Sequence, residues 1–338
     1  MNDDFTHRVL PYDGVDDYLG GAVPFLRDGI AAGDRVLAVC GTAREMLLRD
    51  ALGGAAEAVL FTDAAAWYAH PSRTLADCLG DAAESARRGR RLRLLGEPAW
   101  ATRSPLEVVE WERAEALVNI ALRGTGASVL CPYSTTLPAA VVAAGRKTHP
   151  ETVRGTSARR NPGFVDPWTF CARCDADPLP PPPPGADTLP LDDRPDLFWL
   201  RAWITDCARQ TPLPEEGLQR LLVAATEVVT NALRHGAPPV VLRIWADSGG
   251  EDSGGTGSGG VHSSGGDASL VCEVADAGRW APGTGYGLLP PRPQGALADE
   301  RFGLWAVRLL CSTVQIRTGE NGTTVRLRFA LPGRNGAG

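Results

Sequence analysis

Three polar residues at four-residue intervals, Glu227, Asn231 and His235, stand in the segment LQRLLVAATEVVTNALRHG, residues 218–236. On a helix that spacing stacks them on one face. The amide oxygen of Asn231 can ligate a hard cation such as magnesium. A carboxylate one turn earlier, Glu227, can accept a proton from, or orient, a hydroxyl nucleophile. Farther along, Asp276-Ala277-Gly278 closes an apolar run. A carboxylate there can accept a hydrogen bond from an exocyclic amine, and the glycine lets the backbone approach a flat ring. Each feature alone is common, as the polar face of an amphipathic helix or as an ordinary D-x-G turn.

The elements that must position these residues follow from periodicity. Leu218, Leu221, Leu222, Ala225, Val228, Val229 and Ala232 form a stripe at three- and four-residue spacing, so 218–236 is expected as a helix ended by Gly236. A helix at 195–210 precedes it. Strands are expected at 239–247 and 270–276, with a Gly/Ser-rich loop, 248–269, between them. Residues 283–300, rich in Gly and Pro, suit a lid over a ligand. Gly303 is expected to open a helix whose first N–H groups face phosphates. Strands at 314–317 and 323–329 flank Glu320-Asn321-Gly322 as a hairpin.

In this order the motifs resemble the Bergerat ATP-binding fold, an α+β two-layer architecture shared by gyrase, the heat-shock-90 chaperones, histidine kinases, MutL and anti-sigma-factor kinases. Glu227-x-x-x-Asn231-Ala232-x-x-His235-Gly236 with Asp276-x-Gly278-x-x-x-Pro282 is most similar to the anti-sigma-factor serine/threonine kinases. The resemblance implies that Asn231 holds magnesium and Glu227 activates the attacking hydroxyl. It implies that Asp276 reads the adenine amine with help from Thr324 through water, and that Gly278 packs near the base. Gly303 and Leu304 would bind phosphate, with His235 at the base of the site. ATP and Mg2+ are the implied cofactors, and an anti-anti-sigma-type protein and a sigma factor the implied partners, with a homodimer as the implied assembly. One departure stands out. Arg301-Phe302-Gly303-Leu304 lacks the first glycine of the family's second glycine box, so the alternative is an ATP-binding switch without phosphotransfer. A histidine kinase is disfavoured, because 185–217 contains no histidine and one expected helix.

Residues 1–176 alternate short apolar runs (35–40, 58–61, 92–95, 128–131) with helical patterns, which implies an α/β domain with a mainly parallel sheet. Ligands in such sheets sit at the carboxyl ends of strands. That rule selects Gly41-Thr42, the segment Gly96-Glu97-Pro98-Ala99-Trp100, and Cys131-Pro132-Tyr133. Glu97, Trp100 and Tyr133 are therefore candidate lining of a sensory pocket, with Trp111 as a further aromatic. Trp and Tyr near strand ends are also ordinary core residues. The segments 7–40, 94–122, CPYSTTLP and KTHPE resemble the MEDS sensory domain, which is similar to a recombinase-type ATPase core that has lost its P-loop. No G-x-x-x-x-G-K-[ST] occurs here, in agreement. The resemblance implies small-molecule sensing. No nucleophile–base pair is evident in this half: Cys131 and His149 are distant in sequence, and nothing in the sequence brings them together.

PLPPPPP at 178–184 favours an extended polyproline spacer, so the expected division is 1–176, a linker at 177–194, and 195–333. The chain has 338 residues, enough for two cores, and a formal charge of −6 that gives no electrostatic case for nucleic-acid binding. With no apolar run long enough for a bilayer and no signal-peptide pattern, the expected compartment is the cytoplasm. Of eight cysteines, only Cys171 and Cys174 make a C-x-x-C, which lacks a second ligand pair of suitable spacing. Cys40, Cys131, Cys207, Cys272 and Cys311 are expected as buried thiols.

Overall fold

The computed structural model describes residues 5–100, 102–192, 195–249, 268–280, 285–291 and 301–332. Most of the Gly/Ser stretch, Pro282 and most of the expected lid lie outside the described residues. The chain forms two compact units, Met1–Cys174 and Asp175–Gly338.

The first unit runs β1 (Thr6–Tyr12), α1 (Val15–Ala31), β2 (Arg35–Cys40), α2 (Thr42–Leu52), β3 (Val59–Asp63), α3 (Ala64–Trp67), α4 (Pro71–Arg87), β4 (Leu92–Gly96), α5 (Pro105–Ala121), β5 (Ser128–Ser134), α6 (Ala139–Thr148), β6 (Glu151–Arg154), β7 (Ser157–Arg160) and α7 (Pro167–Cys174). Its sheet has the order β3-β2-β4-β5-β1-β6-β7. All neighbours are parallel except β6 and β7. Both faces are covered. Leu37 and Val39 of β2 enter one apolar cluster, while Val36, Ala38 and Cys40 enter another. That two-sided burial is why these strands read as continuous apolar runs. The expected α/β domain is present, with β1 as an added inner strand.

The second unit runs β8 (Asp187–Leu191), α8 (Leu197–Ala208), α9 (Glu215–His235), β9 (Val240–Asp247), β10 (Ser269–Asp276), α10 (Arg301–Leu310), β11 (Thr313–Gly319) and β12 (Gly322–Ala330). Its five strands are all antiparallel, in the order β11-β12-β10-β9-β8. One face carries Leu242, Ile244, Leu270, Cys272, Val274, Val325 and Leu327 against α8, α9 and α10. The result is the expected two-layer α+β unit. On α9, Leu218, Leu221, Ala224, Ala225, Val228, Val229 and Ala232 are buried. Leu222, expected in that stripe, is half-buried at the edge of the core.

The expected linker is partly built into this unit. Asp187–Leu191 pairs with β9, and the carbonyls of Asp177 and Pro180 accept from Arg317 Nε and from an Arg326 terminal nitrogen. Proline removes N–H donors but leaves carbonyl acceptors, so a proline run can still serve arginines on a strand. On the sheet face away from the helices, Glu273 takes two hydrogen bonds from Arg326, at 3.0 and 2.5 Å, and one from Arg243 at 3.1 Å. Among the described residues, no helix is long and apolar enough to cross a membrane.

Candidate functional site

The candidate residues of the second unit gather where α9, the end of β10 and the start of α10 meet. Successive strand residues face opposite sides of a sheet. Val274 faces the helices, so Asp276, two residues on, does too. Asp276 is 6% exposed. Its Oδ1 accepts from the backbone amides of Gly278, at 2.7 Å, and Ala237, at 3.3 Å. Burial pushes its carboxyl above the usual carboxylate range, and those two amides pull it back. Oδ2 has no hydrogen bond among the described residues and can accept one from a ligand amine.

Gly278 and Gly236 press together beside this carboxylate. A Cβ on Gly278 would stand 2.7 Å from Ala237 N and from Gly236 Cα, and one on Gly236 would stand 2.4 Å from Asp276 Oδ1. Only glycine fits at either position, which explains the D-x-G and H-G pairs in the sequence.

Thr324, the threonine expected beside Asp276, is on the wrong side. The register sets Asp276 opposite Thr323, while Thr324 opposes Ala275 and Arg317 on the other face. Thr323 is 1% exposed, donates to Gly278 O at 2.9 Å, and lies 3.0 Å from the hydroxyl of Thr318, which accepts from Trp280 N. A one-residue offset inverts the face, so Thr323, and not Thr324, lies on the Asp276 side of the sheet.

On α9, Asn231 Nδ2 donates to Glu227 Oε1 at 3.2 Å. Both side chains are half-buried, and this bond leaves Asn231 Oδ1 available to a cation. Gly303 does not open its helix: α10 begins at Arg301, and Gly303 is its third residue. Its backbone lies against Glu227, so that a Cβ on Gly303 would stand 1.9 Å from Glu227 Oε1. The glycine permits close approach of α9 and α10 and brings the carboxylate to the positive end of the α10 dipole. Gly287, at φ +69, covers the Leu304–Trp305 peptide. Arg308, buried on α10, donates to the Tyr286 and Val314 carbonyls at 3.1 and 3.2 Å. His235 is exposed at the end of α9 and makes no hydrogen bond or ion pair among the described residues.

The three residues expected to line a sensory pocket separate into two places. The Trp100 and Tyr133 rings lie 5.6 Å apart, both buried, in the cluster that also holds Tyr68 and Trp111. They are core residues. Glu97 instead accepts from Tyr12 Oη at 2.5 Å and pairs with Arg44 at 3.4 Å, while Arg44 donates to Tyr12 Oη at 2.9 Å. Burial and the Glu97 carboxylate push the Tyr12 hydroxyl up to about 12. This group occupies the carboxyl ends of β1 and β4 and the start of α2. Cys131 and Tyr133 lie inside β5, because that strand continues to Ser134.

No curated protein matches the sequence. Among solved structures, the crystal structure of the RsbU and RsbW domains of Rv1364c from Mycobacterium tuberculosis is similar at 20% identity and a TM-score of 0.29. That match covers 45% of this chain and 34% of that one, so the chain spans about a third of the matched protein's length. Family models match two segments. One is the MEDS (MEthanogen/methylotroph, DcmR Sensory) domain over residues 6–150, and the other is the histidine kinase-like ATPase domain over residues 193–329. The chain thus joins a MEDS sensory domain to a domain of the histidine kinase-like ATPase family.

Proposed function

We propose that the protein is a signal-responsive regulator whose C-terminal domain binds Mg-ATP and phosphorylates a serine or threonine of an anti-anti-sigma-type partner in the cytoplasm, thereby controlling a sigma factor. The reading is carried by the Glu227–Asn231 pair on α9, which packs on the β10 strand that ends in Asp276. The residues present fit the ligand. Asp276 Oδ2 is open to an amine, the Gly236–Gly278 cradle has no room for a Cβ, and Asn231 Oδ1 is open to a cation. When bound, Mg-ATP supplies the phosphoryl group and neutralises its charge.

In this reading Asn231 holds the metal, and Glu227 takes the proton of the partner's hydroxyl. Asp276 and Thr323 read the adenine edge, and Gly278 lies near the base. The Gly303–Leu304 backbone, near the N-terminus of α10, faces phosphate. His235 stands at the rim. The MEDS domain supplies the signal. Exposed Phe198 (84%) and Trp199 on α8 offer an apolar surface for a protein partner. A second reading, an ATP-dependent switch without phosphotransfer, is favoured by the missing first glycine at Arg301-Phe302-Gly303-Leu304.

Calorimetry with ATP tests the site. Magnesium-dependent binding is expected for the wild type and lost in Asn231→Ala. Labelled ATP then separates the readings, since transfer to an anti-anti-sigma protein should vanish in Glu227→Gln while ATP still binds. A folded wild type that binds no ATP would overturn both.

A further inference from the structure

The N-terminal unit brings together four residues far apart in sequence, two of which, Cys131 and His149, nothing in the sequence linked. His7 on β1, Glu115 on α5, Cys131 on β5 and His149 just after α6 are all buried. One ligating atom of each lies within 4.8 Å of every other. Glu115 Oε2 is 3.5 Å from His7 Nε2, 3.4 Å from His149 Nε2 and 3.7 Å from Cys131 Sγ, and Cys131 Sγ is 3.5 Å from His7 Nε2. The two nitrogen–oxygen distances are too long for good hydrogen bonds. All four suit the edges of a tetrahedron, because N, O and S ligands about 2.0–2.3 Å from a zinc-sized ion stand about 3.3–3.7 Å from one another.

The surrounding groups set the direction of both imidazoles. Asn119 Nδ2 donates to the carbonyls of Ala116 and Thr148, at 3.0 and 2.8 Å, so its Oδ1 is the atom facing His7 Nδ1 at 3.2 Å. That His7 nitrogen therefore carries the proton. His149 Nδ1 likewise donates to Gly145 O at 2.7 Å. Each ring then turns an Nε2 lone pair towards the Glu115 carboxylate, and His149 Nε2, fully buried, has no hydrogen-bond partner among the described residues. Two lone pairs and a carboxylate aimed at one point need a positive centre between them. Backbone- and amide-anchored histidines of this kind are the usual support of a metal centre. The same His7, Glu115 and Cys131 wall a small cavity whose other lining includes Tyr68, Cys78, Trp111 and Val129.

We propose that His7, Glu115, Cys131 and His149 bind one divalent transition-metal ion of the zinc type. On binding, the Cys131 S–H bond breaks, its proton leaves to solvent, and the thiolate sulfur bonds the metal. The dication, thiolate and carboxylate then sum to zero, so the buried centre is neutral. The ion would stand behind the cavity wall that His7, Glu115 and Cys131 line.

The test uses the full chain, stripped with a chelator and titrated with Co2+, then with Zn2+ in competition. The expected result is one ion per chain, a thiolate-to-cobalt charge-transfer band with tetrahedral visible absorption, and displacement by zinc. Cys131→Ser should lose the charge-transfer band, and His149→Ala should weaken binding at least about tenfold, with circular dichroism reporting that each variant folds. The wild-type spectrum decides the matter if a variant fails to fold. Absence of binding, binding without the charge-transfer band, or binding indifferent to both substitutions would overturn the proposal and leave a proton on a histidine as what holds the cluster together.

Discussion

Asp276→Asn separates two roles of one side chain. Oδ1 serves the fold by accepting from the Gly278 and Ala237 amides, and an asparagine oxygen can keep both bonds. The other oxygen becomes an NH2 donor facing the adenine amine. A hydrogen bond to a charged acceptor contributes about 1.5–3 kcal/mol, and opposing two donors adds a desolvation cost. Together these give a loss of about 2–4 kcal/mol, or about 30- to 1000-fold in the Kd for ATP. GTP, which presents a carbonyl where ATP presents an amine, should be disfavoured less by the variant than by the wild type.

Stability should move the other way. Burial raises the folded-state pKa of Asp276, so its stabilising contribution is full below the unfolded pKa and is lost as pH rises through the folded value. At pH 7 the wild type carries the cost of a buried charge that asparagine avoids. The variant should therefore match or exceed the wild-type Tm at pH 7 and lose that advantage in acid. Calorimetry with both nucleotides and thermal unfolding at pH 4 and 7 measure this. A folded variant whose Kd for ATP stays within threefold of wild type would refute the role of Asp276 in reading the base. A variant that unfolds at pH 7 would show that the carboxylate charge holds the fold.

Other substitutions probe the same architecture. Thr323→Val should weaken ATP binding about 5- to 30-fold by removing one buried hydroxyl of about 1–2 kcal/mol, while Thr324→Val should leave it unchanged; the reverse pattern in calorimetry would mean that the β10–β12 register is misread. Gly278→Ala sets a Cβ against backbone atoms that cannot rotate away, and should cost about 1–3 kcal/mol in urea unfolding as well as ATP affinity. Glu273→Gln leaves the 3%-exposed Arg326 without its counter-charge and should cost about 3–5 kcal/mol. A loss under about 1 kcal/mol in a chemical denaturation curve would show that the proline-run carbonyl alone supports that arginine.

Several elements were legible from local pattern alone. The α9 helix was readable because its leucines and valines recur at three and four, and this spacing aligns Glu227 with Asn231. Gly236 was readable as the end of α9 and the D-x-G as a turn after a strand, whereas the pressing together of Gly236 and Gly278 emerged only from the fold. The parallel sheet of the N-terminal unit was readable from apolar runs buried on both faces. β1 escaped because His7, Arg8 and Pro11 interrupt its apolar pattern, although the buried His7 and the Arg8–Glu151 ion pair at 2.7 Å place these polar groups well. β8 escaped because it follows a proline run that read as a spacer.

Local sequence thus determined most of the element types and the α9 face. Strand pairing chose Thr323 over Thr324, since a single residue of register reverses a side chain's face and no local signal encodes register. Folding likewise sent Glu97 to Tyr12 and Arg44 while Trp100 and Tyr133 entered the core. It also gathered His7, Glu115, Cys131 and His149. Those four come from two strands, a helix and a helix end, so their meeting depends on how the layers pack, and spacing along the chain does not carry it.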